Sequence, residues 1–235
     1  LADHACRGTD WPLAYIRYTL GVMVETMSVG GSGNSNGTAN SLNNIITGND
    51  GHNELNGSLG ADTLIGGAGS DYYYVDNAGD TVIEAADGGA DTVQSAVSHV
   101  LADNVENLKL AGSAAADGYG NGLVNTIYGN AGANLLDGRG GHDRLFGRGG
   151  DDTYVVDEAG VGVSEILAAA DAGGFDTVRA SVSFTLGLFI ETLVLTGTGD
   201  ISGAGNASDN HLTGNEGRNY LSGYGGDDLL TGGGG

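Results

Sequence analysis

The chain has 235 residues, of which 46 are Gly and one is Pro, and 30 acidic residues against 8 basic ones give a formal net charge of −22. Gly without a three-residue period excludes a collagen triple helix, scarce Lys and Arg exclude nucleic acid as a partner, and one Cys excludes a disulfide framework. No run of about 18 apolar residues exists, so no membrane span is expected. Uncompensated carboxylates in such number repel one another in a compact state unless solvent or bound cations separate them. Their distribution along the chain decides which.

Residues 1–38 read as the end of an upstream spacer. Residues 1–7 match nothing later in the chain, and Pro12 falls where later copies have strand. The stretch Gly33 to Gly37 fits the G-x-S-x-G nucleophile pattern around Ser35. It has neither a strand before it nor a helix after it, so no catalytic serine is expected.

Residues 39–74 form a first repeat block, read in steps of nine as ANSLNNIIT, GNDGHNELN, GSLGADTLI and GGAGSDYYY. Residues 75–119 are a spacer with short alternating runs at 92–97 and 105–110, which predict half-buried strands. A second block, 120–155, gives GNGLVNTIY, GNAGANLLD, GRGGHDRLF and GRGGDDTYV. The spacer 156–204 follows, with a four-residue insertion between Glu165 and Asp176 and an Ala-rich piece at 167–172 too short for a stable helix. The third block, 205–235, gives GNASDNHLT, GNEGRNYLS and GYGGDDLLT, then 232–235 begin a twelfth unit.

Across the eleven complete units, Gly holds the first position in ten, with Ala39 the exception, and the fourth in eight, failing at Leu42, Leu123 and Ser208. The sixth position is always Asp or Asn: Asn44, Asn53, Asp62, Asp71, Asn125, Asn134, Asp143, Asp152, Asn210, Asn219 and Asp228. The eighth is always apolar, from Ile46, Leu55, Leu64 and Tyr73 to Leu230. A longer period encloses the short one. Glu25, Glu106 and Glu191 recur in similar contexts; YYYVDNAGDTVIEA (72–85) returns as TYVVDEAGVGVSEI (153–166), and GADTVQSAV (89–97) as GFDTVRASV (174–182). The three Glu residues read as equivalent loop positions of a stacked repeat.

Gly at the first and fourth positions allows positive φ and close backbone approach. Asp and Asn suit turns and offer side-chain oxygens. The last three residues read as a short strand whose middle residue points inward. Such a unit cannot bury a core alone, but two make a coil of 18 residues that stacks on the next. Like-sided turns are then about 4.8 Å apart. An ion midway between them would meet oxygens of both at about the 2.3–2.6 Å of calcium–oxygen bonds. Zinc is not expected, because one Cys and five scattered His give no ligand cluster.

The units GGAGSDYYY and GRGGDDTYV carry the pattern GGxGxDxUx and so resemble the RTX, or haemolysin-type, calcium-binding repeat family. The resemblance implies an all-β fold, a right-handed parallel β-roll or β-solenoid of three nonapeptide blocks joined by β-helix-like spacers. It also implies calcium (Ca2+, several ions) in rows along both turn edges, and type I secretion. Carried over by position, one site takes carbonyls of Asn49, Gly51, Gly66 and Ala68 with the side chains of Asn53 and Asp71. A second takes Asn130, Gly132, Gly147 and Gly149 with Asn134 and Asp152. Within each block the early sixth positions are Asn and the later ones Asp. An Asn turn then either binds calcium with one carboxylate fewer or binds none and hydrogen-bonds as a ladder.

One further nine-residue step past the first block gives VDNAGDTVI (75–83), whose sixth residue, Asp80, lies 18 residues after Asp62. Asp80 and Asp62 are expected to stack on one edge, as the only same-edge pair with Asp at both sixth positions. The matching place in the second spacer is Val161, so that edge is expected to lose its ion or borrow Asp157 or Glu158.

Three functional readings follow. The first is a calcium-binding β-roll module of a secreted bacterial protein, folding on calcium outside the cell. The second is an accessory tail of a secreted hydrolase, and the third an adhesin or matrix protein holding glycans or cell surfaces. The chain lacks an initiator Met and stops inside a repeat, so it reads as part of a longer protein. No enzymatic activity is expected of it: there is no H-E-x-x-H, and His52, His142 and His211 lie at positions read as solvent-facing. Arg139, Arg144 and Arg148 read as local balance for Asp137, Asp143 and Asp151, or as a contact for a small anion or polysaccharide.

Overall fold

The computed structural model describes residues 13–14, 17–165 and 174–235. Cys6, Pro12, the Ala-rich piece at 167–172 and most of the second-spacer insertion lie outside the described residues. The described chain is all-β and parallel, strand stacked on strand as a β-solenoid, with no helix. It divides into two compact units, Leu1–Ala111 and Gly112–Gly235.

In the first unit one sheet stacks Leu13–Ala14, Thr26–Val29, Ile45–Thr47, Thr63–Ile65 and Thr81–Ile83. The other stacks Tyr18–Thr19, Gly37–Thr38, Glu54–Asn56, Tyr72–Val75, Thr92–Ser95 and Asn107–Leu110. Through the repeat block, successive strands alternate between the two sheets, so each nonapeptide is half a coil. The register is the 18-residue step: Ile46 pairs with Leu64 and Leu64 with Val82, while Leu55 pairs with Tyr73 on the other sheet. The spacer keeps the stack but changes the step, since Tyr73 pairs with Val93 and Val93 with Leu108. The run expected at 92–97 ends as strand at Ser95, whose hydroxyl bonds both main-chain groups of Val97 and turns the chain away.

In the second unit Thr126–Tyr128, Arg144–Phe146 and Gly162–Ser164 stack in one sheet. A second runs through Gly118–Tyr119, Leu135–Asp137, Thr153–Val156, Thr177–Ala180, Thr192–Leu195, His211–Thr213 and Leu229–Thr231, and a third holds Phe184–Thr185, Ser202–Ala204 and Tyr220–Ser222.

The core is the eighth position repeated. Ile46, Leu55, Leu64 and Tyr73 in the first unit, and Ile127, Leu136, Leu145, Tyr154 and Leu212 in the second, are wholly buried. Each such side chain contributes about 1.5–3 kcal/mol relative to exposure. Leu230, in the last strand, is exposed.

The first-position glycines differ from expectation: none of the ten adopts positive φ. That conformation falls on second and fourth positions, as at Arg148 (φ 79°) and Gly150 (φ 100°). Space fixes the first position instead. A Cβ on Gly147 would overlap Asp152 Oδ2 and the Tyr154 hydroxyl, and one on Gly138 the Asp143 carboxyl.

Candidate metal centres on the turns

Within a block, stacking turns at an 18-residue register brings a sixth residue over the sixth residue of the next coil. Along one edge of the first unit, Asn44 N–H donates to Asp62 Oδ1 (2.7 Å) and Asp62 N–H to Asp80 Oδ1 (2.9 Å). Along the other, Asn53 N–H donates to Asp71 Oδ1 (2.7 Å), Asp71 N–H to Asp91 Oδ1 (2.7 Å), and Asp91 N–H to Glu106 Oε2 (2.8 Å). The second unit repeats this through Asn134, Asp152, Asp176 and Glu191, and separately from Asn125 to Asp143 and from Asn210 to Asp228. Glu106 and Glu191 are therefore the rungs that close these ladders.

The Asn turns satisfy themselves. Asn53 Nδ2 donates to Ser35 O in the preceding coil and to Asn49 Oδ1, while Asn53 Oδ1 accepts the Asn49 N–H. Asn49 Nδ2 reaches Gly30 O and Gly33 O, and its Oδ1 accepts the Gly51 N–H. The pairs Asn130/Asn134, Asn206/Asn210, Asn215/Asn219 and Asn40/Asn44 use the same device: amide N–H groups gather main-chain carbonyls of the previous coil. Asn121 and Asn125 share the N–H to Oδ1 bond of this turn.

The Asp turns lack that amide. Their second residues are Ser58, Gly67, Arg139, Arg148 and Tyr224, all at positive φ. The Oδ2 atoms of Asp62, Asp71, Asp143 and Asp152, and of spacer Asp91 and Asp176, are buried and have no hydrogen-bond partner. An unpaired buried charge is costly, and it shows in the proton affinities. Burial pushes Asp62, Asp71, Asp143 and Asp176 up to about 6 and Asp152 to about 7, with the main-chain N–H on Oδ1 pulling back only in part. Burial likewise raises Asp91. Six anchored carboxylates with an open oxygen are the donor set that a hard cation requires. Asp80 differs: its Oδ2 accepts the N–H groups of Asp76 and Asn77.

Asp62 and Asp80 stack on one edge, and that pair is joined by two others. Asp71 with Asp91 and Asp152 with Asp176 also stack, across steps of 20 and 24 residues that a constant nine-residue count does not reach. Glu84 and Glu165 complete these two clusters. Asp71, Glu84 and Asp91 present one carboxylate oxygen each within 4.8 Å of one another, as do Asp152, Glu165 and Asp176. Burial raises both Glu carboxyls to about 8, with neighbouring acids adding to the rise. The sequence carried the signal where each block runs into its spacer: Tyr73, Glu84 and Asp91 recur as Tyr154, Glu165 and Asp176.

Of the carbonyl positions, Gly66 O converges with Asn53 Oδ1 where a Gly48 Cβ would stand, and Gly147 O with Asn134 Oδ1 beside Gly129. Asn130 O accepts the Gly149 N–H at 3.3 Å, and the carbonyls of Asn49 and Gly51 lie against Gly67 and Gly69 of the next same-edge turn. Gly132 packs on residues 113–115. Ala68 sits in the turn that ends at Asp71. Val161 is buried; Glu158 Oε2 accepts the Gly141 N–H, and Asp157 adds to the raised proton affinity of Asp143. Asn219 Nδ2 reaches Ile201 O and Asn215 Oδ1. The Arg139 main-chain N–H donates to Asp137 Oδ1 (2.8 Å), but the guanidinium groups of Arg139 and Arg148 form no ion pair among the described residues. They lie over the rings of Tyr119 and Tyr128, 5.7 and 5.3 Å from the centroids.

A parallel β-solenoid whose turns present ladders of carboxylate and carbonyl oxygens is a cation-binding repeat protein. The repeat is the RTX calcium-binding nonapeptide repeat, whose family model matches this chain four times, over residues 38–73, 47–82, 119–154 and 204–235. No curated protein and no solved structure matches the chain.

Proposed function

We propose that this chain is a calcium-binding β-roll module of a secreted bacterial protein, and that calcium drives its folding outside the cell. The observation that carries the reading is the set of buried, partnerless Oδ2 atoms on Asp62, Asp71, Asp143 and Asp152. A net charge of −22 leaves the apo chain with strong self-repulsion. A divalent cation at the Asp turns relieves it and binds only where two coils have stacked, so binding energy becomes folding energy. Calcium is scarce in the cytoplasm, while extracellular modules bind it at about 10⁻⁴–10⁻³ M, which couples folding to export.

The turns divide the work. Asn turns hold one coil to the next with their own amides, and Asp turns use the ion. We assign the module a structural role and no catalysis: Ser35, at 3% exposure, is followed by the strand Gly37–Thr38 and not by the helix a nucleophile turn opens. The test is far-UV circular dichroism of the full chain in excess chelator and then in millimolar calcium. The proposal expects a largely disordered spectrum that becomes β on calcium and reverts with chelator, with magnesium a poor substitute because it demands tighter octahedral geometry. A cooperative β-fold unchanged by chelator overturns it.

The sheet face carrying Tyr72 supports a second role, as a glycan contact. A cavity of about 480 Å³ there is lined by Arg17, Asn36, His52, Glu54, Ser70 and Tyr72. Aromatic and hydrogen-bonding groups together suit a sugar ring. Binding on a glycan array that Tyr72→Ala abolishes supports this role, and an array without hits removes it.

A further inference from the structure

We infer that each spacer builds a calcium site that the nonapeptide motif does not contain: Asp71, Glu84 and Asp91 in the first unit, and Asp152, Glu165 and Asp176 in the second. The inference rests on the calcium-binding reading above and extends two of its Asp turns, at Asp71 and Asp152, with acids from outside the motif.

In both clusters all three acids are at least nine-tenths buried. In the first, Asp71 Oδ2 and Asp91 Oδ2 have no partner; in the second, Asp152 Oδ2, Asp176 Oδ2 and Glu165 Oε2 have none. The Asp heads are held in place by ladder N–H groups on their Oδ1 atoms. Each Glu is held by a core tyrosine, Tyr73 hydroxyl to Glu84 Oε1 and Tyr154 hydroxyl to Glu165 Oε1, across 11 residues in both units. The intervening coil lengths differ, 20 residues against 24, yet the same three acids and the same tyrosine converge. Gly66 and Gly147 keep the space open. A Cβ on Gly66 would overlap Glu84 Oε1, Asp71 Oδ2 and the Tyr73 hydroxyl, and one on Gly147 Asp152 Oδ2 and the Tyr154 hydroxyl.

Three carboxylates and no nitrogen or sulfur ligand select a hard cation. Ligand charge count tunes calcium affinity, so these sites outbind the Asp turns of the opposite edge, which have two sixth-position carboxylates at Asp62 and Asp80 and one at Asp143.

The experiment titrates the full chain with calcium by isothermal titration calorimetry, and with terbium by luminescence excited through tyrosine. The Glu84→Gln/Glu165→Gln variant keeps the acceptor for the tyrosine hydroxyl and loses two charges. The expected result is loss of the tightest class of ions, or its weakening by at least about tenfold, since ligand charge count tunes calcium affinity over several decades. The remaining ions and the calcium-induced β spectrum stay. Asp62→Asn/Asp143→Asn should leave the tightest class in place. Tyr73→Phe/Tyr154→Phe should retain the tight ions and lose most of the sensitised terbium emission. Unchanged affinity and ion number in the Glu variant, or undiminished emission in the Tyr variant, overturns the two sites while leaving the calcium module standing. No calcium binding by the wild type overturns the module itself.

Discussion

The Asp62 main-chain N–H donates to Asp80 Oδ1 at 2.9 Å, from one coil to the next, 18 residues apart. Thr63 pairs with Thr81 beside it, so the roll runs on into the spacer. Asp80→Asn keeps an acceptor for that N–H, gives up the one for Asp76 and Asn77, and removes one carboxylate from the edge. The expected outcome is an intact β spectrum in calcium and one ion weakened by about tenfold, consistent with affinity tuned by ligand charge. Calorimetry on wild type, Asp80→Asn and Asp157→Asn checks it, and unchanged affinities in Asp80→Asn would contradict it.

Second and sixth positions act together, Asn with Asn or a positive-φ residue with Asp. Converting one kind of turn into the other should therefore move an ion. Asn130→Gly with Asn134→Asp is expected to gain one calcium and to destabilise the calcium-free chain by about 1 kcal/mol for each amide hydrogen bond lost. Arg139→Asn with Asp143→Asn should do the reverse. Native mass spectrometry counts the ions, and the calcium concentration at the midpoint of the folding transition reads the stability.

Crowding at the first position distinguishes neighbouring glycines. Gly138→Ala drives a Cβ into the Asp143 carboxyl, whereas Gly140 has nothing within 4 Å of the added atom and no positive φ. Overpacking costs about 1–3 kcal/mol, so Gly138→Ala should unfold earlier in urea at millimolar calcium. Gly140→Ala should be neutral or more stable by up to about 1 kcal/mol, since it restricts the unfolded chain. Equal midpoints for the two variants would remove the steric account.

Without calcium, the buried acids bind protons more tightly in the fold than in the unfolded chain: Asp62, Asp71, Asp143 and Asp176 at about 6, Asp152 at about 7, Glu84 and Glu165 at about 8. Stability from these groups is whole below about pH 4, where the unfolded carboxyls are also protonated, and is lost as pH rises through 6 to 8. In chelator the residual β signal in circular dichroism should fall between pH 5 and pH 8. In millimolar calcium the fall should flatten, because the ion needs the ionised carboxylates. A calcium-free chain more stable at pH 8 than at pH 5 would contradict this.

Much of the fold was legible because the core and the turns obey one count. The eighth position names the buried residues through Leu212, and the alternating spacer runs become Thr92–Ser95 and Asn107–Leu110. The count fails where the coil lengthens, so Asp91 and Asp176 escape a nine-residue step although they hold the same structural place as Asp80. Glu84 and Glu165 escape it for another reason: they reach their clusters from the spacer, through tyrosine hydroxyls inside the core. Scoring the sixth position alone also hides its partner, since Asn49 and Asn130 act through side chains that gather carbonyls of the previous coil.

The central claim, that Asp turns take the ion while Asn turns hold themselves, is tested most directly by long-wavelength anomalous diffraction from crystals grown in millimolar calcium. The account predicts anomalous peaks beside Oδ2 of Asp62, Asp71, Asp143 and Asp152, and none in the turns of Asn44, Asn53, Asn134, Asn210 and Asn219. Peaks of equal height at every turn, or none at the Asp carboxylates, would contradict it.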